Sequence, residues 1–159
     1  MVDIGTLTAA LGAASAGIQL IDKISDQVTR FITGHPDPEV PKTHRSTIER
    51  DGQSLVRRYR GIEYQRITAA DLEKLPEADL RHIRVHEQSM ENLYLVWMGV
   101  YPQLALALDP IAKVKAEIQL RSIVSAMKTD LVAILNFLED AGLELDDHYR
   151  QVRDVVSSI

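Results

Sequence analysis

Residues 4–33 read IGTLTAALGAASAGIQLIDKISDQVTRFIT. Ile4, Leu7, Leu11, Ala14, Ile18, Ile21, Ser25, Val28 and Ile32 recur at alternating spacings of three and four. That period predicts one helix from residue 3 to about residue 33, with an apolar stripe along its whole length. Gly34 supplies a left-handed C-terminal cap and Pro36 blocks continuation.

Two properties set this helix apart. From Ile4 to Ile21 it carries no charge, and Gly5, Ala9, Ala13 and Gly17 recur every fourth residue. Such a small-residue ridge lets two helix backbones approach closely, in lipid or in a soluble bundle. Its length would just cross a bilayer. Three Ile and three Leu favour insertion, by roughly -2 to -4 kcal/mol together. Three Gly, two Thr, Ser15 and Gln19 oppose it. A lone helix would therefore insert weakly, and close packing within a bundle or oligomer is the simpler expectation.

Working outward, residues 34–44 hold three of the six prolines and read as a linker. Residues 45–67 change period. Asp51-Gly52 signals a tight hairpin turn, and a third strand can follow Arg60-Gly61. Thr68 and Asp71 form a capping box before a short helix at about 69–75. Leu80, Ile83, Glu87, Met90, Tyr94, Trp97, Tyr101, Leu104 and Leu108 mark a second long helix, with a kink or break expected near Gly99–Pro102. Asp109-Pro110 opens a third, which runs to about Ala141. A last helix starts at Asp146 or Asp147 and is expected to offer Tyr149, Val152, Val155, Val156 and Ile159 to a partner surface.

The expected fold is mainly α. It is a single domain over residues 1–159, an elongated bundle of three long helices plus a shorter C-terminal helix. A small β-hairpin is inserted between the first and second long helices. In outline, a four-helix bundle led by a small-residue helix resembles membrane-acting effector domains of the HeLo type. The resemblance rests on the texture of residues 4–33, and no residue role follows from it.

Composition narrows the function. The 159 residues contain no cysteine, which excludes disulfides, thiol catalysis and thiolate zinc sites. The N-terminus lacks the basic region of a secretory signal, so a cytoplasmic protein is expected, with peripheral or conditional membrane association as the variant. A net charge of -5 is a poor basis for nucleic-acid binding. Basic charge gathers in residues 42–66, where seven basic side chains face three acidic ones. Arg57, Arg58, Arg60 and Arg66 are candidate contacts for an acidic partner or an anionic membrane. Alternation along a strand keeps them from sharing one face.

Asp79, His82 and His86 lie at spacings that put them on one helical face. They are weak candidates for a metal site, and no cofactor is expected. His148, flanked by Asp146 and Asp147, is a conceivable further donor. Glu87 occupies an apolar position and needs a partner, for which Arg121 and Lys128 are candidates. Tyr94, Trp97 and Tyr101 read as core or interface aromatics. No phosphate loop, nucleophile elbow or dinucleotide fingerprint is present.

The leading expectation is a non-enzymatic module that self-associates or holds a protein partner. A membrane-perturbing effector, whose first helix inserts and oligomerises, comes second. A metal-dependent enzyme comes third.

Overall fold

The computed structural model describes residues 2–34 and 45–159. The elements are α1 (Ile4–Thr33), β1 (Thr47–Asp51), β2 (Ser54–Tyr59), β3 (Ile62–Thr68), α2 (Ala69–Leu72), α3 (Glu77–Leu106), α4 (Pro110–Asp140) and α5 (Asp147–Ser157). The mainly helical fold and the small sheet between the first two long helices are as the sequence indicates. The expected linker at 34–44 lies, apart from Gly34, outside the described residues.

Local chemistry sets most boundaries. Asp3 accepts the Thr6 N–H at 2.8 Å and starts α1, while Gly34 ends it at φ 74°. Asp109 accepts the Ile111 N–H at 3.1 Å, with Pro110 behind it in the first turn of α4. The end of α4 closes when Leu143 N–H reaches the Leu138 carbonyl across Gly142, whose φ is 97°. Asp146 caps α5.

Four details differ from the sequence reading. The first hairpin loop is Gly52-Gln53, one residue later than expected, because Asp51 still pairs with Ser54. The second turn, Arg60-Gly61, has positive φ at both residues and produces the third strand in the order β1-β2-β3. The short helix α2 stops at Leu72 rather than about residue 75. Finally, α3 is not broken at Pro102 but continues to Leu106. Pro102 is exposed and near the helix end, and Gln103 Nε2 donates to the Gly99 carbonyl at 3.1 Å beside it. The missing proline donor therefore falls where water can replace it.

Helix α1 is the centre of the bundle. It runs parallel to α3, with Lys23 over Tyr94 and Phe31 against Trp97. Helix α4 runs antiparallel to it, with Gly17 at Ile134 and Phe31 at Arg121. The sheet and α5 close the remaining sides. Ile48, Leu55 and Ile67 enter the same core as Leu11, Ile18 and Ile21. The residues of this helix that enter the core, from Leu7 to Val28, are all uncharged.

The partner surface expected for α5 belongs to the chain itself. Tyr149, Val152 and Val156 are buried in the shared core, and only Ile159 of that set is exposed.

Candidate association surface and polar sites

The small-residue ridge is divided by the fold. Gly5 is exposed and Ala9 half-buried, while Ala13 and Gly17 are buried. A Cβ on Gly17 would lie 2.9 Å from Ile134 Cδ1 and 3.1 Å from its Cγ2. The absent side chain at residue 17 thus lets α4 approach α1 within one chain. Helix α1 is long and apolar enough to cross a membrane by length and composition, and half of that apolar window is buried inside the protein.

The arginines of the sheet have local partners. Arg57 and Arg58, neighbours on β2 that point to opposite faces, meet different carboxylates. Arg57 lies 3.8 Å from Glu144 and 5.6 Å over the Tyr64 ring. Arg58 pairs with Glu49 at 2.7 Å, and Arg66 bridges Asp51 and Glu63 at 2.9 and 2.6 Å. Arg60 stacks on Tyr59 at 5.4 Å. Three of these arginines thus meet carboxylates within the chain, while Arg60 meets a ring alone.

Asp79, His82 and His86 do line one cavity, of about 210 Å³, together with Asn136 and Asp140 of α4. Among the described residues, however, no group of three or more His, Asp or Glu is arranged to hold a metal ion. His86 turns toward α4, where its Nδ1 meets Asp130 Oδ1 at 2.8 Å, and Ser89 Oγ donates to Asp130 Oδ2 at 2.7 Å. Asp130 is buried, so both of its oxygens are satisfied by α3.

Glu87 does not meet Arg121 or Lys128. It faces α1 and Arg84, in a groove with Gly5, Thr8 and Ala9. Arg121 lies over Phe31, and Lys128 donates to the Ile159 carbonyl. Burial, then the nearby Glu91, raises the Glu87 carboxyl above its usual range, and Arg84 opposes them. The face of α3 that carries Glu87 turns to α1, whereas the face that carries Ser89 turns to α4.

A polar seam between α1, the start of β1 and α5, buried at Ser25, Ser46, His148 and Tyr149 and open at Asp22, carries no signal in the sequence. Tyr149 Oη donates to Asp22 Oδ1 at 2.8 Å and lies 3.3 Å from the Ser46 carbonyl. Asp146 accepts both Ser46 N–H, at 2.7 Å, and Ser46 Oγ–H. His148, fully buried, meets Ser25 Oγ at 3.3 Å. These links tie residues a hundred or more positions apart, so no local spacing signals them. Crowding by protein pushes the Asp22 carboxyl up to about 6, against the bond from Tyr149, while one side of the residue stays open to water. Burial and the Asp22 charge raise the Tyr149 phenol as well.

The aromatic stripe is core. Trp97 is fully buried, stacks on Tyr101 at 5.2 Å and donates its Nε1–H to Gln27 Oε1 at 2.9 Å. Tyr94 and Tyr101 flank it, half-buried.

Apolar side chains are also left exposed. Among the described residues, eight of the thirteen large hydrophobic side chains exposed to solvent fall between residues 95 and 118. On α3, Leu95, Val96 and Met98 point outward, and on α4, Val114 and Ile118 do so. Leu106, Leu108 and Ile111 crown the turn between the two helices. Scattered exposed leucines are ordinary, whereas here they concentrate along two helices and the turn that joins them. Comparison with protein families, curated proteins and solved structures finds no match for this chain.

Proposed function

We propose that this protein is a non-enzymatic helical module that works by self-association through the outer flanks of α3 and α4. The observation that carries this reading is the outward set Leu95 and Met98 on α3 with Val114 and Ile118 on α4. Residues three or four apart on a helix stack above one another, which is the spacing of a helix–helix seam. The small-residue ridge of α1 is not the contact in this reading, because its inner half already packs on Ile134.

Sedimentation velocity across the micromolar range tests it. Wild-type protein should sediment as a dimer or larger species. Leu95→Ser combined with Ile118→Ser should shift it to monomer and leave the helical circular dichroism intact, since both side chains lie outside the core. A wild-type protein that stays monomeric throughout that range refutes the proposal.

A further inference from the structure

We infer that the apex of the α3–α4 hairpin is a docking surface for an anionic lipid bilayer. The inference concerns the apex alone and does not depend on self-association through the flanks. Leu106, Leu108 and Ile111 are 78%, 100% and 66% exposed. Helix α1 ends at Thr33, and its last aromatic, Phe31, packs against Trp97 and beneath Arg121. The turn between α3 and α4 has therefore lost its third helix and stands at one end of the bundle.

Two further observations select lipid as the occupant. First, the apolar side chains surround the turn. Leu106 continues the outward face of α3, Ile111 continues the outward face of α4, and Leu108 lies between them. A flat protein surface covers one side of such an apex, whereas an acyl boundary covers every side at once.

Second, the charge behind the apex suits phosphate headgroups. Arg30, Lys113 and Arg121 line a groove of about 490 Å³ under the turn, and exposed Lys115 lies beside Val114. None of these four cations has a carboxylate within ion-pair distance among the described residues. By contrast, Arg58, Arg66, Arg81 and Arg153 are all paired. Two acids share this end. Asp109 is held by the Ile111 N–H, and Glu117 sits in the groove among the cations. Among the described residues this end is thus net positive, on a chain of net charge -5. Basic side chains one or two turns behind an apolar tip would meet the headgroups as the tip reaches the acyl boundary.

Vesicle co-sedimentation of the full chain tests the inference. Phosphatidylcholine vesicles with and without phosphatidylserine are compared, at low and high salt. The wild type should bind the anionic vesicles and bind neutral ones much more weakly. Leu106→Ser, Leu108→Ser and Ile111→Ser together should lower binding to anionic vesicles by about tenfold or more, given the apolar surface removed. Lys113→Glu with Lys115→Glu should reduce anionic binding to the neutral level. All five side chains are exposed, and Trp97 fluorescence reports that each variant is folded. Absence of binding to anionic vesicles overturns the inference. So does binding that the three serines leave unchanged, which would mean attachment by charge alone or through another element. An apex that instead contacts a second copy would turn an oligomer into monomer on the serine substitutions without any vesicle binding, and that outcome overturns it as well.

Discussion

Gly17→Ala is the sharpest test of how α1 is used. The new methyl would enter 2.9 Å from Ile134 Cδ1 and 3.1 Å from Cγ2. Carbon atoms prefer about 3.5–4.0 Å, so Ile134 has to give way on both branches. Overpacking of this kind costs about 1–3 kcal/mol. Alanine recovers about 1 kcal/mol, because glycine is a poor helix former. The single variant should therefore lose up to about 2 kcal/mol. Ile134→Val alone should lose about 0.5–1.5 kcal/mol through the missing methyl. Together the two changes fit each other better, since valine removes the Cδ1 atom at 2.9 Å and the smaller side chain can shift to relieve the Cγ2 contact at 3.1 Å. The double variant should return to within about 0.5 kcal/mol of wild type, a coupling of about 1–2 kcal/mol. Urea unfolding read by Trp97 fluorescence measures this, because Trp97 is the sole tryptophan and is fully buried. In thermal melts each kcal/mol is worth about 2–4 °C for a chain of this size. Two single effects that simply add would refute the reasoning. A Gly17→Ala variant that changes oligomeric mass while keeping its unfolding midpoint would place Gly17 between chains instead.

Two further outcomes follow from the polar seams. The Asp22 carboxyl is raised from 3.8 to about 6, so the folded state favours its protonated form. Its stabilising contribution is full below about pH 4 and is lost as pH rises through about 6. Asp22→Asn should keep an acceptor for Tyr149 and flatten the stability–pH curve between those limits. The effect should be about 1 kcal/mol, because water on the open side of Asp22 screens it, and denaturant midpoints from pH 4 to 8 would detect it. An unchanged curve would show that this carboxyl does not couple to folding. Asp130→Ala should cost about 1–3 kcal/mol by leaving Ser89 and His86 without their acceptor between α3 and α4. Asp130→Asn should restore part of that loss, and equal unfolding midpoints for the two variants would refute the account.

Much of the fold was legible because its signals are local. Asp3, Gly34, Asp109, Pro110 and Gly142 act within one helical turn of their own positions, so the helix ends could be read from spacing alone. The hairpin signal at Asp51-Gly52 and the third strand after Arg60-Gly61 were readable for the same reason. Site residues were less legible. Asp79, His82 and His86 share a cavity as their spacing implies, yet Asp130, which captures His86, lies 44 residues away on another helix. The heptad position of Glu87 points to partners on α4, yet the side chain faces α1.

The sequence by itself determined where α1 begins and ends, that it carries an apolar stripe, and that the fold is helical with one small sheet. Those properties depend on backbone conformation and on a period of 3.6 residues, which neighbours along the chain enforce. Only the tertiary structure decided which neighbour each face would meet. Gly5, Ala9, Ala13 and Gly17 look equivalent along the helix, but α4 reaches Gly17 through Ile134 and leaves Gly5 at the surface. Likewise Leu108 continues the inward stripe of α3 on paper. The helix ends two residues earlier, at Leu106, and the chain turns, so this leucine is left wholly in solvent. Periodicity predicts a face only while the helix lasts, and what covers that face is set by long-range packing.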